Sequence, residues 1–472
     1  MDINKHALGE ERVGRLIVSL SFPAMAGMLL SAVFGLIDTF FVSRLGSASL
    51  AALTICIPIE ILLVSTGSAT GVGLTSLISR TLGKSDHLLA DNIAWHGMAI
   101  GIVYGVFFSW LGVTKLDELL VLFGCTPEIF SLCRDYLYII LMGCSFTFIP
   151  MIAAHIVQGE GNTYLPMLSS ILAIFLNVLL DPLFIFGLGP LMPMGIRGAA
   201  LATVLAQMLS TGFILYKMFT ERSLLSWSIG NFHPSIRVIT GIYRVGLPTL
   251  VMELLAVVIM TYLNKILAGF NYTAVAALGV FFRVRSIFYM PIYGLAQGAM
   301  PIAGFAYGAR QYDRVKETIL KASFIATVVL LIAWFIMQNY AGEIMRIFSR
   351  NPALTDMGID CMQMATIFLP FMGPIIILNT ILQGVGKGLS AMWLSLIRQL
   401  GFFLPALIIL PRLMDLNGVW LAFSLTELLS GILAGVFFVK LWRELQDYTR
   451  STVLMLFKQG RIFNRFLVWI KW

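Results

Sequence analysis

Gln158-Gly159-Glu160-Gly161 occurs a second time in the chain as Gln383-Gly384-Val385-Gly386, after a shift of 225 residues. A shift of 220 residues aligns Gly198 with Gly418, which places a short insertion within residues 187–193. This ordered repetition indicates that the chain contains two copies of one unit. Other residues that the 225-residue shift brings into register are Pro23 with Pro248, Ala51-Ala52-Leu53 with Ala276-Ala277-Leu278, Gly73 with Gly298, and Gly83 with Gly308.

Apolar runs occupy almost the whole sequence. Of the 472 residues, 58% are hydrophobic and only 12% are charged, whereas soluble globular proteins carry about 25% charged residues. We therefore expect an all-α polytopic membrane protein with twelve transmembrane helices, numbered here as spans 1 to 12. The predicted spans cover residues 14–44, 50–82, 90–112, 133–158, 165–188, 195–219, 238–268, 275–307, 316–340, 358–384, 390–412 and 417–441.

Each copy of the repeat contains an even number of spans, so both copies enter and leave the membrane in the same orientation. This predicts two six-helix bundles related by a pseudo-two-fold axis along the membrane normal, with a cavity between them. The expected division is an N-lobe at residues 1–222, a cytoplasmic linker at 223–237, a C-lobe at 238–441, and a basic amphipathic cytoplasmic tail at 442–472.

Lys and Arg residues are distributed unequally between the two sides of the predicted membrane. Of 32 such residues, 22 fall on the side of the termini, eight fall on the other side, and Arg283 and Arg285 fall inside a span. Arg398 is counted among the 22 because it flanks the loop between spans 10 and 11. The bias predicts cytoplasmic termini in an inner (plasma) membrane, and it explains the net charge of +8 without a nucleic-acid partner.

The stretch Phe175-Leu-Asn177-Val-Leu-Leu-Asp181-Pro182-Leu-Phe184 places two polar residues inside predicted span 5. Asn177 and Asp181 are four residues apart, so they share one face of a helix. A carboxylate at membrane depth costs roughly 2.5–3.5 kcal/mol on insertion scales, and such groups usually face a cavity and function there. The stretch therefore predicts a site for a proton or a small cation. The alternative is a helix kink at Pro182 with a buried Asp181 paired to a polar neighbour.

The ordered motifs of the chain resemble those of the multidrug and toxic compound extrusion family, MATE, particularly its bacterial drug/sodium antiporter branch. The resemblance covers nearly the whole chain and implies a two-lobed exporter that exchanges H⁺ or Na⁺ for organic, often cationic, compounds. The stretches that carry it are Gly35-Leu-Ile-Asp38-Thr39-Phe-Phe-Val-Ser43-Arg44-Leu-Gly46, Ser76-Leu-Ile-Ser79-Arg80-Thr-Leu-Gly83, Gln158-Gly-Glu-Gly-Asn162-Thr163, Asn177-Val-Leu-Leu-Asp181-Pro182-Leu-Phe184 and Gly294-Leu-Ala-Gln297-Gly298-Ala-Met-Pro301-Ile-Ala-Gly304-Phe-Ala-Tyr307-Gly308.

The resemblance implies a cation-coupling site at Asp38, Asn177, Asp181 and Thr203. Asp38, Asp181 and Thr203 all fall roughly 10 Å below the outer surface, at 1.5 Å per helical residue. Oxygen ligands suit Na⁺, and two neighbouring carboxylates also suit a proton. The second copy lacks these groups, which favours a function over a packing role in both copies. The residues of the second copy aligned with Asp38, Asn177 and Asp181 are Leu263, Phe402 and Ala406.

Glu253 is an acid in span 7 whose repeat partner is the uncharged Met28. It either contacts a cationic substrate or a second proton, or it pairs with a neighbouring helix. We also assign Thr39 and Met260 to the substrate-binding surface, since methionines on a cavity wall adapt to many ligand shapes.

Glu60 and Arg285 occupy equivalent positions in spans 2 and 8, which should face one another across the cavity. An ion pair between them would act as a gate; alternatively, each finds a partner within its own bundle. Glu427 aligns with Gln207 at the 220-residue shift, and we interpret that polar pair as packing.

The leading functional hypothesis is a secondary active transporter that exports small amphiphilic, often cationic compounds in exchange for H⁺ or Na⁺ by alternating access. The alternative is a flippase or exporter of a lipid-linked saccharide or other lipid-like substrate. The sequence has no Walker loop, metal cluster or catalytic triad pattern, so we expect neither an enzyme nor a cofactor. The expected partners are small molecules and the lipid bilayer, and the expected state is a monomer.

Overall fold

The computed structural model describes residues 7–187, 192–220, 223–349 and 351–458, without the side chains of residues 7, 32–36, 38 and 451–458. Within this part of the chain every regular element is helical. A short helix, Ala7–Glu10, precedes the N-lobe. The N-lobe spans are Val13–Ser43, Ser47–Gly83, His87–Thr114, the bent pair Phe130–Met142 and Ser145–Gly159, Tyr164–Phe186, and Ile196–Thr220.

The C-lobe repeats this order. Its last three spans contain a bend, a seven-residue π-helical stretch at Ile397–Phe403, and a backbone break at Met414 and Asp415, where φ of Asp415 is 49°. The break divides the segment after Gly388 into spans 11 and 12, which gives twelve crossings in the described residues. The C-lobe helices are Ile236–Phe270, Tyr272–Gly308, Tyr312–Asn339, the bent pair Pro352–Ala365 and Met372–Gly384, Gly388–Leu396, and Leu404–Lys458.

Two irregular features occur once in each lobe and confirm the duplication. Span 4 bends by 48° between Met142 and Ser145, and span 10 bends by 51° after Ala365. A short helix also precedes each bent span: Leu116–Leu122 in the N-lobe and Ala341–Phe348 in the C-lobe. Because these helices begin 225 residues apart, the register of the sequence repeat is also the register of the structure. The architecture is therefore the predicted pair of six-helix bundles.

The lobes are closely packed at the face of the molecule that carries both ends of the described chain, called here the terminal face. Gly83 and Gly308 make the closest approach. A Cβ atom on Gly83 would lie 2.1 Å from the carbonyl oxygen of Phe305, and one on Gly308 would lie 2.0 Å from the carbonyl oxygen of Arg80. Phe305 and Arg80 are themselves repeat partners, so the contact obeys the pseudo-two-fold axis. Only glycine permits this backbone separation.

Hydrogen bonds between the lobes reinforce this closure. Ser76 donates to the carbonyl oxygens of Gln383 at 2.6 Å and Gly384 at 3.0 Å, and Gln158 Nε2 donates to the carbonyl oxygen of Gln297 at 3.0 Å. The two repeated Gln-Gly stretches thus each contact the opposite lobe. The first turns of span 1 also pack into the apolar core of the C-lobe.

The linker between the lobes is held against the N-lobe by buried acids. Asp91 accepts from the backbone N–H of Ser226 at 2.8 Å and from Asn231 Nδ2 at 2.8 Å. Glu160, in the loop after span 4, accepts from the Ser223 hydroxyl at 2.7 Å and from the backbone N–H of Leu224 at 2.9 Å. Glu160 is only 2% exposed, and its burial raises the pKa of its carboxyl group to about 7. Beyond residue 450, the predicted amphipathic tail lies outside the described side chains.

We expect the stability of the linker contact to fall as the pH rises through about 7. The pKa of Glu160 is higher in the folded protein than in a released linker, so the folded state binds the extra proton. The stabilisation is therefore complete below pH 4.5 and lost as the buried carboxyl ionises. Glu160→Gln should be more thermostable than the wild type at pH 8.5 and should differ little from it at pH 5.5. Melting curves at both pH values provide the test, and a parallel pH dependence in both proteins would contradict it.

Candidate functional site

A polar cluster lies inside the N-lobe between spans 5 and 6. Asn177 and Asp181 are 2% and 0% exposed, and both lie on the face of span 5 that packs against span 6. When the amide orientation is set by its partners, Asn177 Nδ2 donates to Asp181 Oδ2 at 2.8 Å. Its oxygen accepts from the Thr203 hydroxyl at 3.0 Å. The structure therefore brings together three of the four residues expected to couple a cation.

Asp38 is the fourth residue of this set. It lies five residues before the end of span 1 at Ser43, and Asp181 lies five residues before the end of span 5 at Phe186. Both backbones are therefore in the same layer, roughly 8 Å from those helix ends, and spans 1 and 5 pack against each other. The side chain of Asp38 lies outside the described residues. Thr39, beside it, is exposed.

The chemistry of the N-lobe cluster is that of hard oxygen donors at membrane depth. Asp181 supplies a carboxylate, and Asn177 and Thr203 each supply one neutral oxygen. Such donors suit a Na⁺ ion. At the equivalent C-lobe positions, Leu263 and Ala406 are buried among apolar side chains.

The C-lobe contains a different polar site, a cavity of about 160 Å³ lined by residues of spans 7, 8, 10, 11 and 12. Arg285, Arg398 and Glu427 line it together with Gln399 and Met260. Glu427 is 5% exposed and lines this cavity beside two arginines, and the packing role inferred from its repeat partner remains a prediction. Met260 lines the same cavity, and its assignment to a substrate-binding surface remains a prediction. We call this site the C-lobe pocket.

Arg398 corrects the charge count. It lies ten residues after the start of span 11 at Gly388, which places it roughly 15 Å inside the membrane rather than at a loop. Removing it leaves 21 Lys and Arg residues on the side of the termini against eight on the other, so the asymmetry is retained.

Glu253 makes a hydrogen bond between the lobes. Its Oε1 accepts from the Ser68 hydroxyl of span 2 at 3.1 Å. Within the described residues, this is the bond between lobes that lies farthest from the terminal face. Glu253 is partly exposed in this contact.

Glu60 and Arg285 do not form an ion pair with each other in the structure as described. Glu60 accepts from the hydroxyl of Tyr136 within the N-lobe at 2.8 Å. The Arg285 guanidinium lies over the ring of Tyr289, 4.3 Å from its centroid, within the C-lobe. A gate between Glu60 and Arg285 therefore remains a prediction for a different conformation.

The sequence model of the MatE family matches residues 23–183 and 248–407, so its two copies begin at the repeat-related Pro23 and Pro248. Together the matches cover more than half of the chain. The chain belongs to the MATE family.

The alignments of this chain with two curated relatives cover nearly the full length of each relative. The FAD transporter of Shewanella oneidensis is 24% identical over 433 residues, 91% of this chain and 95% of the relative. The multidrug export protein MepA of Staphylococcus aureus strain N315 is 25% identical over 426 residues, 89% of this chain and 92% of the relative.

Solved MATE structures share the whole fold. A structure described as the outward-facing conformation of a multidrug resistance MATE family transporter superposes with a TM-score of 0.88 at 26% identity, covering 95% of this chain and all of that one. A Pyrococcus furiosus transporter of the MOP superfamily, described as having a binding pocket of reverse polarity, superposes with a TM-score of 0.86 at 26% identity, covering 95% of this chain and 99% of that one. The chain is thus a multi-pass membrane transporter of small compounds.

Sequence reasoning missed Arg398 and Gln399 as pocket residues of this MATE protein. The predicted span 11 begins at residue 390, two residues later than the helix in the structure. The charge of Arg398 was therefore assigned to the loop that precedes the span. Its position well inside an apolar run, ten residues after Gly388, was the available signal. The π-helical widening that turns both side chains toward the cavity has no comparable signature in the sequence.

Proposed function

We propose that this MATE protein exports small amphiphilic, often cationic compounds in exchange for H⁺ or Na⁺ by alternating access. The observation that carries the proposal is the fully buried Asp181, hydrogen-bonded to Asn177 beside Thr203. A carboxylate at this depth is expensive unless it binds a cation or a proton during its working cycle. A coupling site confined to one lobe also leaves the other lobe free to bind substrate.

The orientation of the protein follows from its charge distribution. With 21 of its Lys and Arg residues on the side of the termini, the terminal face is expected to be cytoplasmic. With the terminal face in the cytoplasm, the packing of the lobes at that face would close the protein to the cytoplasm. Export then requires the contacts of Gly83 and Gly308 to open and close in each cycle. We expect a monomer to suffice, because each chain carries both lobes.

Glu253 supports a substrate with a positive charge. It is the only acid between Ile236 and Phe270, it is partly exposed, and it accepts a hydrogen bond from the other lobe, so a ligand held between the lobes would meet its negative charge. Multidrug export is the function named for MepA, which resembles this chain along its length.

We expect Glu253→Gln to weaken the binding of cationic dyes more than that of neutral dyes of similar size. The substitution removes the charge, and its amide oxygen can still accept from the Ser68 hydroxyl. Binding to purified protein should be measured alongside Glu343→Gln, an exposed acid on a surface helix. Equal losses for both dye classes would indicate a packing role for Glu253.

Gradient-driven efflux from proteoliposomes tests the proposed function. Vesicles that contain the purified protein and a cationic dye receive an imposed pH gradient, an imposed Na⁺ gradient, or neither. The proposal predicts dye movement that depends on at least one of the two gradients. Dye movement at the same rate under all three conditions would contradict coupling.

A flippase of a lipid-linked saccharide is the second candidate. One observation favours it: Arg285 and Arg398 make the C-lobe pocket basic, as a diphosphate-bearing substrate would require. The same vesicles distinguish the two candidates. Transbilayer movement of a labelled lipid-linked saccharide without dye export would favour the flippase.

A further inference from the structure

We propose that the C-lobe pocket binds the carboxylate of an amphiphilic substrate, so that acidic and zwitterionic compounds belong to the range of compounds this protein carries. The inference rests on the proposed export function and adds a class of substrate to it. It begins with two arginines in the membrane interior. Arg285 lies roughly 20 Å from the start of span 8, and Arg398 roughly 15 Å from the start of span 11. A charged side chain at that depth is costly, which makes a functional role the default expectation.

The surroundings of the two arginines leave them available to a ligand. In the part of the chain that the structure describes, no acid lies within 4 Å of either guanidinium, although Glu427 lines the same cavity. Arg285 is held over the rings of Tyr289 and Phe282, whose centroids lie 4.3 and 5.4 Å away. Stacking on aromatic faces leaves the edges of a guanidinium free to form two parallel hydrogen bonds to a carboxylate.

Two buried oxygens of the pocket also lack partners among the described residues. These are Glu427 Oε2 and Gln399 Oε1, on side chains that are 5% and 7% exposed. Both side chains line the pocket. A buried polar atom without a partner is costly. Both atoms are acceptors, so they favour a hydrogen-bond donor on the ligand beside the carboxylate that the arginines hold. The π-helical stretch Ile397–Phe403 contributes Arg398 and Gln399, and such widened turns are frequent at functional sites.

The walls of the pocket indicate the rest of the ligand. Phe282, Phe403 and Phe423 line it together with Met260, so an aromatic body would contact apolar surface next to the charged group. Pockets for whole drug-sized ligands measure roughly 300–1,000 Å³, and this cavity of about 160 Å³ is smaller. It therefore fits the acidic end of a larger molecule. Glu253 and the C-lobe pocket together would then contact opposite charges of a zwitterion.

The test uses two dyes that differ only in whether their carboxylate is free or esterified. Rhodamine 110 has a free carboxylate, and rhodamine 123 is its methyl ester. Fluorescence anisotropy should measure their binding to the full chain in nanodiscs of phosphatidylcholine. Arg398→Gln and Arg285→Gln should each weaken binding of the acid by on the order of tenfold or more and change binding of the ester little. Arg283→Gln, an exposed arginine on the same helix as Arg285, is the matched control.

A variant that binds the acid dye more tightly than the wild type cannot owe that change to misfolding. Glu427→Gln removes the carboxylate that competes with the ligand for the arginines, so it should tighten binding of the acid and leave binding of the ester unchanged. The inference would be overturned if these variants changed the binding of the acid and the ester equally, or changed neither. The proposed export function is tested separately, by gradient-driven export of the ester. Phosphatidylglycerol added to the nanodiscs could also compete for the pocket. If it abolishes the binding of rhodamine 110 that depends on the arginines, the pocket belongs to a lipid headgroup and the inference is overturned. A wild-type protein that binds neither dye and is not thermally stabilised by benzoate would also overturn it.

Discussion

Asp181→Asn is expected to reduce ion-driven efflux to the level of vesicles without protein, while the variant remains folded in the membrane. Asn has nearly the same shape as Asp, and its amide can still form a hydrogen bond with Asn177. What it lacks is a negative charge that can bind Na⁺ or exchange a proton. Because Asp181 is fully buried, water has no access to the site and cannot take the place of the carboxylate as a ligand for the cation. Initial rates of dye efflux under an imposed gradient measure the loss.

Asp135→Asn provides the matched control for this experiment. Asp135 is an acid of the same lobe, and it forms a surface ion pair with Arg197 at 2.7 Å. Exposed pairs contribute about 0–1 kcal/mol, so this variant should transport normally. Asp38→Asn should show the same loss as Asp181→Asn, because its backbone lies in the same layer. Wild-type efflux by the Asp181 and Asp38 variants together would exclude the N-lobe site.

Gly308→Val should abolish transport by preventing closure at the terminal face. A Cβ at residue 308 would lie 2.0 Å from a backbone oxygen of the other lobe, and a backbone atom cannot rotate away. Overpacking of this kind costs about 1–3 kcal/mol or more, enough to shift the balance between the two states of an alternating-access protein by tenfold or more. Gly83→Val should act in the same way, since Gly83 makes the repeat-related contact.

The conformational cause of this loss can be measured separately. Ser79→Cys places a thiol in the closed interface, within a background free of other cysteines, because Ser79 is 0% exposed and its hydroxyl lies against Gly304 of the other lobe. A membrane-impermeant maleimide added at the terminal face should label it faster in Gly308→Val than in the wild type. Gly279→Val is the control, because it lies on the same helix and a Cβ there meets nothing within 4 Å. Unchanged labelling together with lost transport would place the defect elsewhere.

The sequence was sufficient to predict the architecture because the repeat and the apolar runs report long-range features directly. The repeat register correctly pairs the bent spans 4 and 10, although no residue predicts the bend itself. The least accurate boundaries are those of spans 11 and 12. There the predicted loop at 413–416 is only a two-residue break at Met414 and Asp415, because helical hydrogen bonding resumes at once on either side.

The two polar sites differ in how well the sequence predicts them. Helical spacing groups Asn177 with Asp181, and the family resemblance, together with the similar depth of Asp181 and Thr203, adds Thr203 to the site. Arg285, Arg398 and Glu427 come from three helices of the C-lobe, and their meeting depends on helix rotation and on the π-helical stretch. The repeat alignment suggested packing for Glu427 and a gate for Arg285, and it gave no indication that these side chains line one cavity.

Ion movement driven by substrate tests the central claim most directly. Vesicles containing the purified protein are loaded with a cationic dye and diluted into dye-free buffer with equal pH and equal Na⁺ on both sides. Internal pH and the uptake of radioactive Na⁺ are then followed. Coupling through Asp181 predicts that dye efflux drives one of the two cations inward, and that Asp181→Asn shows no such movement. Dye efflux from the wild type without inward movement of either cation would contradict the account.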